Sequence, residues 1–199
     1  MCSKIETLIL EQNFPYIQPW FYENPYALRC ELGIGDSDYM QNAYRRANEI
    51  FFILFPDGQP DAVLFNQYVY EEPCTDICAD QDRAFYELMT ARRHVVVPNL
   101  LTYEDQEKQE KTYIRNRIVC YRDSNEFDVP SLLSGGIHVQ TAEAGLVSFS
   151  NECILSIYDD RGCDVVFATQ EKLREFYPKL EPYFLSYDVA EMNRRYLGK

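Results

Sequence analysis

The sequence predicts one α+β domain over 1–199, an antiparallel or mixed sheet flanked by helices. Three observations carry that expectation. Glu152 to Tyr158 and Cys163 to Ala168 flank a four-residue turn and are apolar on both faces apart from Ser156 and Asp164, which makes a central hairpin over 152–168. Asp38 to Phe55 repeats apolar residues at three-and-four spacing, which is the period of an amphipathic helix. No internal repeat or free linker divides the chain.

In chain order, Ser3 to Asn13 reads as a short helix. Ser3 can cap it, and Ile5, Leu8 and Ile9 share a face. Residues 14–22 are aromatic and broken by Pro15 and Pro19, as in an ordered loop. Ala27 to Gly33 alternates as a strand, with Leu28, Cys30 and Leu32 opposite Arg29 and Glu31. In the long helix, Asp36 or Asp38 can cap, and Arg45, Arg46 and Glu49 fall off the apolar stripe. Pro56-Asp57-Gly58 stops it, and Asp61 to Tyr70 is a strand. Residues 71–79 read as loop and Asp80 to Thr90 as a short helix. His94 to Leu101 and Thr112 to Tyr121 are two strands, joined by a charged run over 104–111 that suits a solvated loop or an exposed helix. Asp123 to Ser134 is a connector and Gly135-Gly136 a turn, with a strand near Gly145 to Ser150. Helices over Glu171 to Tyr177 and Val189 to Tyr196 close the chain, separated by Pro178 and Pro182.

Composition narrows the function classes. A chain of 199 residues is long enough to bury roughly 70% of its unfolded surface without staples. Asp and Glu number 32 against 19 Lys and Arg, a net charge of −13. That charge opposes binding to a phosphate backbone, so no nucleic acid is expected; Arg92-Arg93-His94 and Arg115-Asn116-Arg117 read as exposed charge flanking strands. It favours instead a protein partner with a basic face. No stretch reaches the ~18 apolar residues of a membrane span, and no signal-peptide order opens the chain, so a cytoplasmic location is expected. Seven cysteines at wide spacing do not form a disulfide framework; Cys30, Cys120, Cys153 and Cys163 lie in apolar runs, where a thiol acts as a small hydrophobe.

The residues with most chemistry are Tyr158, Asp159, Asp160, Arg161 and Asp164. Asp159 to Gly162 suits a type I turn closed by a left-handed glycine. If Tyr158 pairs with Cys163, Ile157 opposes Asp164, and that carboxylate on an apolar face needs Arg161 or a backbone N–H as donor. The segment reads either as turn chemistry with one ion pair, or as a carboxylate cluster with one arginine that serves as a metal site, a general base or a binding spot for a cationic group. His94 and His138 sit in no nucleophile motif and read as structural. Cys74 and Cys78 lack the second pair that zinc needs. Gly33-Ile34-Gly35 precedes Asp36 and Asp38, whose carboxylates would meet a pyrophosphate. No cofactor, metal site or catalytic set is therefore expected. Sixteen Tyr and twelve Phe leave Tyr22, Tyr26, Tyr68, Tyr70, Tyr183 and Tyr187 as candidates for a contact surface.

Two blocks carry a resemblance. Tyr22-Glu23-Asn24-Pro25-Tyr26-Ala27-Leu28-Arg29-Cys30-Glu31-Leu32-Gly33 is followed by Ala43-Tyr44-Arg45-Arg46-Ala47 and Ile50-Phe51. Ile157-Tyr158-Asp159-Asp160-Arg161-Gly162-Cys163-Asp164-Val165 comes much later. Together they resemble an uncharacterised bacterial domain-of-unknown-function family of about 200 residues with a Tyr-Asp-Asp-Arg-Gly-x-Asp segment. The resemblance carries no catalytic residue. Size and charge are similar to those of toxin-immunity proteins. The expected function is a non-enzymatic protein-binding module, of immunity or antitoxin type, that inhibits a basic partner. The alternatives are a metal-dependent hydrolase using Asp159, Asp160 and Asp164, and a small-ligand binding module.

Overall fold

The structure is a computed structural model, and it describes residues 3–11, 14, 20–70, 85, 87–98, 100–104, 110–139 and 144–198. Among the described residues eight strands form one antiparallel sheet: β1 (Ala27–Glu31), β2 (Ala62–Tyr70), β3 (His94–Val97), β4 (Leu100–Glu104), β5 (Glu110–Tyr121), β6 (Gly145–Ser148), β7 (Cys153–Asp159) and β8 (Gly162–Phe167). Their order is β1-β8-β7-β6-β2-β5-β3, and β4 also pairs with β5. β3 and β4 share one edge position. His94 pairs with Cys120 and Leu100 with Ile114, so both follow one register on β5. The break falls at Pro98, which has no N–H to give to a ladder.

Among the described residues the sheet is accompanied by α-helices α1 (Lys4–Leu10), α2 (Tyr39–Leu54), α3 (Val129–Ile137), α4 (Gln170–Leu180) and α5 (Val189–Leu197). Residues 85 and 87–90 are also helical; the rest of the helix expected over 80–90, the loop 71–79 with Cys74 and Cys78, and most of the 104–111 run lie outside the described residues. One face of the sheet carries α3 and α4. Phe176 of α4 stacks on Phe167 of β8, and Gly136 of α3 backs directly onto Ile157 of β7. The other face is covered by α1 and the segment from residue 20. There Trp20 lies against Gly145, and Arg117 of β5 reaches α1. Coverage on both faces explains why β7 and β8 are apolar on both sides.

Local chemistry accounts for most boundaries. Ser3 Oγ accepts the Glu6 N–H at 3.2 Å and starts α1. Asp38 occupies the N-cap of α2 without a side-chain bond to the helix. α4 runs on through Pro178, three residues past the predicted end at Tyr177, because a proline near the last turn removes little of the ladder. Gly198 ends α5 at φ 74°, a left-handed cap.

Three local expectations are corrected. Gly135-Gly136 is not a turn but the second half of α3, which starts at Asp128, whose carboxylate accepts from Ser131 N–H. Glycine is needed there because a Cβ on Gly136 would lie 2.8 Å from Ile157 Cβ. Arg46 is not on the exposed side of α2. It is buried, and its guanidinium donates to Glu31 O at 2.7 Å and Tyr183 O at 3.2 Å. Arg117 is not exposed charge either. It is 1% exposed and donates to Ile9 O, Glu11 O and Phe14 O, carbonyls left open where α1 ends.

Edge strand β1 is not bare. Its outer side receives Leu185 N–H on Arg29 O at 3.1 Å, forms a bridge between Cys30 and Phe184, and gives Arg29 N–H to Met192 Sδ. This fixes residues 184–192 beside the rung that carries Arg29.

Candidate functional site

Arg29 of β1 and Asp164 of β8 stand directly opposite each other. Leu32 N–H bonds Arg161 O, and Phe167 N–H bonds Tyr26 O. Counting along the ladder, Arg29–Asp164 is a non-hydrogen-bonded rung, where side chains come closest. The pair is bidentate: Nε to Oδ1 at 2.9 Å and Nη2 to Oδ2 at 3.3 Å. Phe21 N–H adds a third bond to Oδ2 at 2.8 Å. Asp164 is 0% exposed, and Ser156 of β7 continues the same row on its other side.

The guanidinium is caged. Its Cζ lies 4.9 Å from the Phe21 ring centre, 4.7 Å from Tyr22 and 5.6 Å from Tyr158. The buried Asp188 places Oδ2 3.5 Å from Arg29 Nη1, a charge contact without hydrogen-bond geometry. Burial opposes the charge on Arg29, but the hydrogen bond and charge of Asp164 outweigh it and push the guanidinium's pKa up. Burial pushes the Asp164 carboxyl above its ordinary range, with Arg29 and the Phe21 N–H pulling the other way. Burial, then the charge of Asp164, raises the Tyr158 phenol as well. Phe21 is held from a second side by Arg195, whose Cζ is 4.0 Å from the ring centre. Arg195 Nη1 donates to Phe21 O, Asn24 O and Ala27 O, which pins the whole segment that enters β1.

The hairpin tip departs from the expected register. Ser156, not Ile157, opposes Asp164, and Ile157 opposes Cys163. The ladder slips between Ile157 and Asp159, a bulge that leaves Tyr158 as the extra residue. Gly162 is extended rather than left-handed. It is glycine for want of space: a Cβ would run into the Tyr158 hydroxyl and lie 2.7 Å from Cys30 O. Asp159 accepts from Arg161 N–H at 2.8 Å and Arg161 Nε at 2.8 Å, as turn chemistry requires. Arg161 is therefore engaged with Asp159, and the donors to Asp164 are Arg29 and a backbone N–H. Asp160 is half-buried at the tip. Of the five residues singled out in the hairpin, Tyr158 and Asp164 join the cage, while Asp159 and Arg161 pair with each other. Among the described residues no group of three His, Cys, Asp or Glu could hold a metal ion.

The remaining polar candidates are accounted for locally. His94 Nδ1 lies 2.9 Å from Arg92 O, and His138 Nε2 lies 2.5 Å from Tyr44 Oη. Arg92 bonds Asp123 and the carbonyls of Asn125 and Glu126. Cys30, Cys120, Cys153 and Cys163 are all buried free thiols. Beside the cage opens a cleft of about 490 Å³, lined by Tyr22, Glu23, Tyr26, Gln170, Glu191 and Arg194 among others. Among the described residues no helix is long and apolar enough to cross a membrane.

A protein-family model described as "Domain of unknown function (DUF3885)" matches residues 7–188. The chain belongs to the DUF3885 family. No curated protein and no solved structure matches it. The matched span of this DUF3885 chain includes both blocks quoted above, and the Arg29–Asp164 ion pair is one of the contacts that join them. Four parts of the cage escaped the sequence reading: Arg29, Asp188, Phe21 and the role of Tyr22. The available signal was the carboxylate in an apolar strand, which demands a cation. An arginine in the middle of another strand of this DUF3885 sheet was the matching half.

Proposed function

We propose that this chain is a non-enzymatic protein-binding module, an immunity- or antitoxin-type inhibitor that acts on a basic partner in the bacterial cytoplasm. One observation carries the reading. Tyr22, whose ring centre lies 4.7 Å from Arg29 Cζ, is 58% exposed, and Tyr187, next in sequence to Asp188, is 85% exposed. Large tyrosines held on a rigid base are what a protein contact uses, because they bury area with little entropy to lose. The net charge of −13 adds long-range attraction to a basic surface.

The test is capture at low salt by the tagged chain, beside Tyr187→Ala and Tyr22→Ala/Tyr187→Ala. The reading expects one stoichiometric basic partner, released by salt, with capture weakened by the first variant and lost with the second. No captured partner, or equal capture by the double variant, refutes it. A second reading rests on the cleft beside Tyr22: a small polar ligand could sit between Tyr22, Tyr26, Gln170 and Arg194. Thermal-shift screening would then find a ligand whose effect disappears in Gln170→Ala.

A further inference from the structure

Cys30 of β1 and Cys163 of β8 stand opposite each other, one rung from Arg29–Asp164. The ladder bonds at Leu32–Arg161 and Phe167–Tyr26 make this a hydrogen-bonded rung. Such rungs hold the Cα atoms about 5.5 Å apart, inside the roughly 4.4–6.8 Å that a disulfide spans. Both side chains are fully buried on the face that carries α3 and α4. The nearness of Cys30 and then burial push the Cys163 thiol well up. The other buried cysteines have no such neighbour on the sheet. Cys120 faces Val63 and His94, and Cys153 faces Phe167 and Ser148.

We propose that Cys30 and Cys163 are a reversible oxidation site, closing to a cross-strand disulfide when a low-molecular-weight disulfide is the oxidant. Each thiol gives up its proton, and the pair gives up two electrons as the S–S bond forms. The oxidant's S–S bond breaks and takes both electrons and both protons, leaving two thiols. The reduced pair is shielded while β1 is seated. It meets the oxidant when this edge strand lifts or before it docks. Closing the bridge ties β1 to β8 across 133 positions of sequence (163 − 30) and clamps the adjoining Arg29–Asp164 rung. The site does not depend on the binding reading above.

The experiment refolds the full chain from urea in glutathione buffers of increasing oxidised fraction, quenches with an alkylating agent and maps disulfide-linked peptides by mass. A parallel sample of folded protein receives oxidised glutathione directly. The proposal expects Cys30–Cys163 to be the principal intramolecular bridge after refolding and slower to form in the folded sample. Its Tm should be several degrees above the reduced protein and should return on reduction. Cys163→Ala and Cys30→Ala should each abolish that oxidant-dependent rise, and either one suffices if the other does not fold. Refolded protein with both thiols alkylated, a different principal bridge, or a bridge that lowers Tm overturns the proposal.

Discussion

Replacing Arg29 by Met tests the cage most directly. Methionine keeps an unbranched stem between the Phe21 and Tyr22 rings, so packing is largely preserved. The substitution removes both guanidinium bonds to Asp164 and the charge that faces Asp188 at 3.5 Å. It leaves two buried carboxylates, with Phe21 N–H the remaining donor to Asp164 among those described. Breaking a buried pair from one side costs about 3–5 kcal/mol. For a chain of this size that is a fall in Tm of about 6–20 °C. The cost must depend on pH. Arg29 pulls the Asp164 carboxyl down against burial, so without it the folded-state value moves further above the ordinary 3.8. The folded variant then binds that proton more tightly than the unfolded chain does. Its stability falls as pH rises through that window, and the gap from the wild type widens from acid to neutral pH. Urea denaturation from about pH 4 to the neutral range measures this. Arg29→Met/Asp164→Asn should be more stable than Arg29→Met alone at neutral pH, because the stranded charge is gone. A cost below about 1 kcal/mol, a cost that does not vary with pH, or a double variant with fully additive losses would refute the assignment.

Two further outcomes follow from the geometry. Gly162→Ala should cost about 1–3 kcal/mol from overpacking against Cys30 O and the Tyr158 hydroxyl; Gly162→Asn should be no better, although asparagine tolerates left-handed backbone, and an unchanged urea midpoint for either would exclude the close approach. Hydrogen bonds from Arg194 and Arg195 hold the Glu191 carboxyl down at about 2 against an ordinary 4.5. Its stabilising share is therefore present above 4.5 and lost as pH falls toward 2, so Glu191→Gln should flatten that stretch of the stability curve; curves that stay parallel to the wild type there would contradict the ion pairs.

What the sequence made legible was local, and what it hid was held by distant partners. The stripe of α2, the cap at Ser3 and the β7–β8 hairpin depend on neighbours within a turn or two, and each is found where the pattern put it. The hairpin register moved by one because the bulge at Tyr158 is set from outside the hairpin: the ring needs the space above Gly162 and lies beside Arg29. The demand of Asp164 for a donor was also legible, since a carboxylate among apolar residues cannot stand alone. Its donor was not, because Arg29 lies 135 positions away. Arg46 and Arg117 were misread for a common reason. Polar residues of an alternating strand or a helical stripe are normally placed in water, and that inference assumes one wet face. Here both faces of the sheet are covered. A long arginine stem carries its head to carbonyls left open at and beyond the ends of elements: Glu31 and Tyr183 for Arg46, and Ile9, Glu11 and Phe14 for Arg117. In such a sheet a mid-strand arginine marks the place where a loop or terminus packs down. That is why Arg29 identifies the junction of residues 20–24, the β1–β8 rung and Asp188, which sequence spacing alone leaves as three unrelated segments.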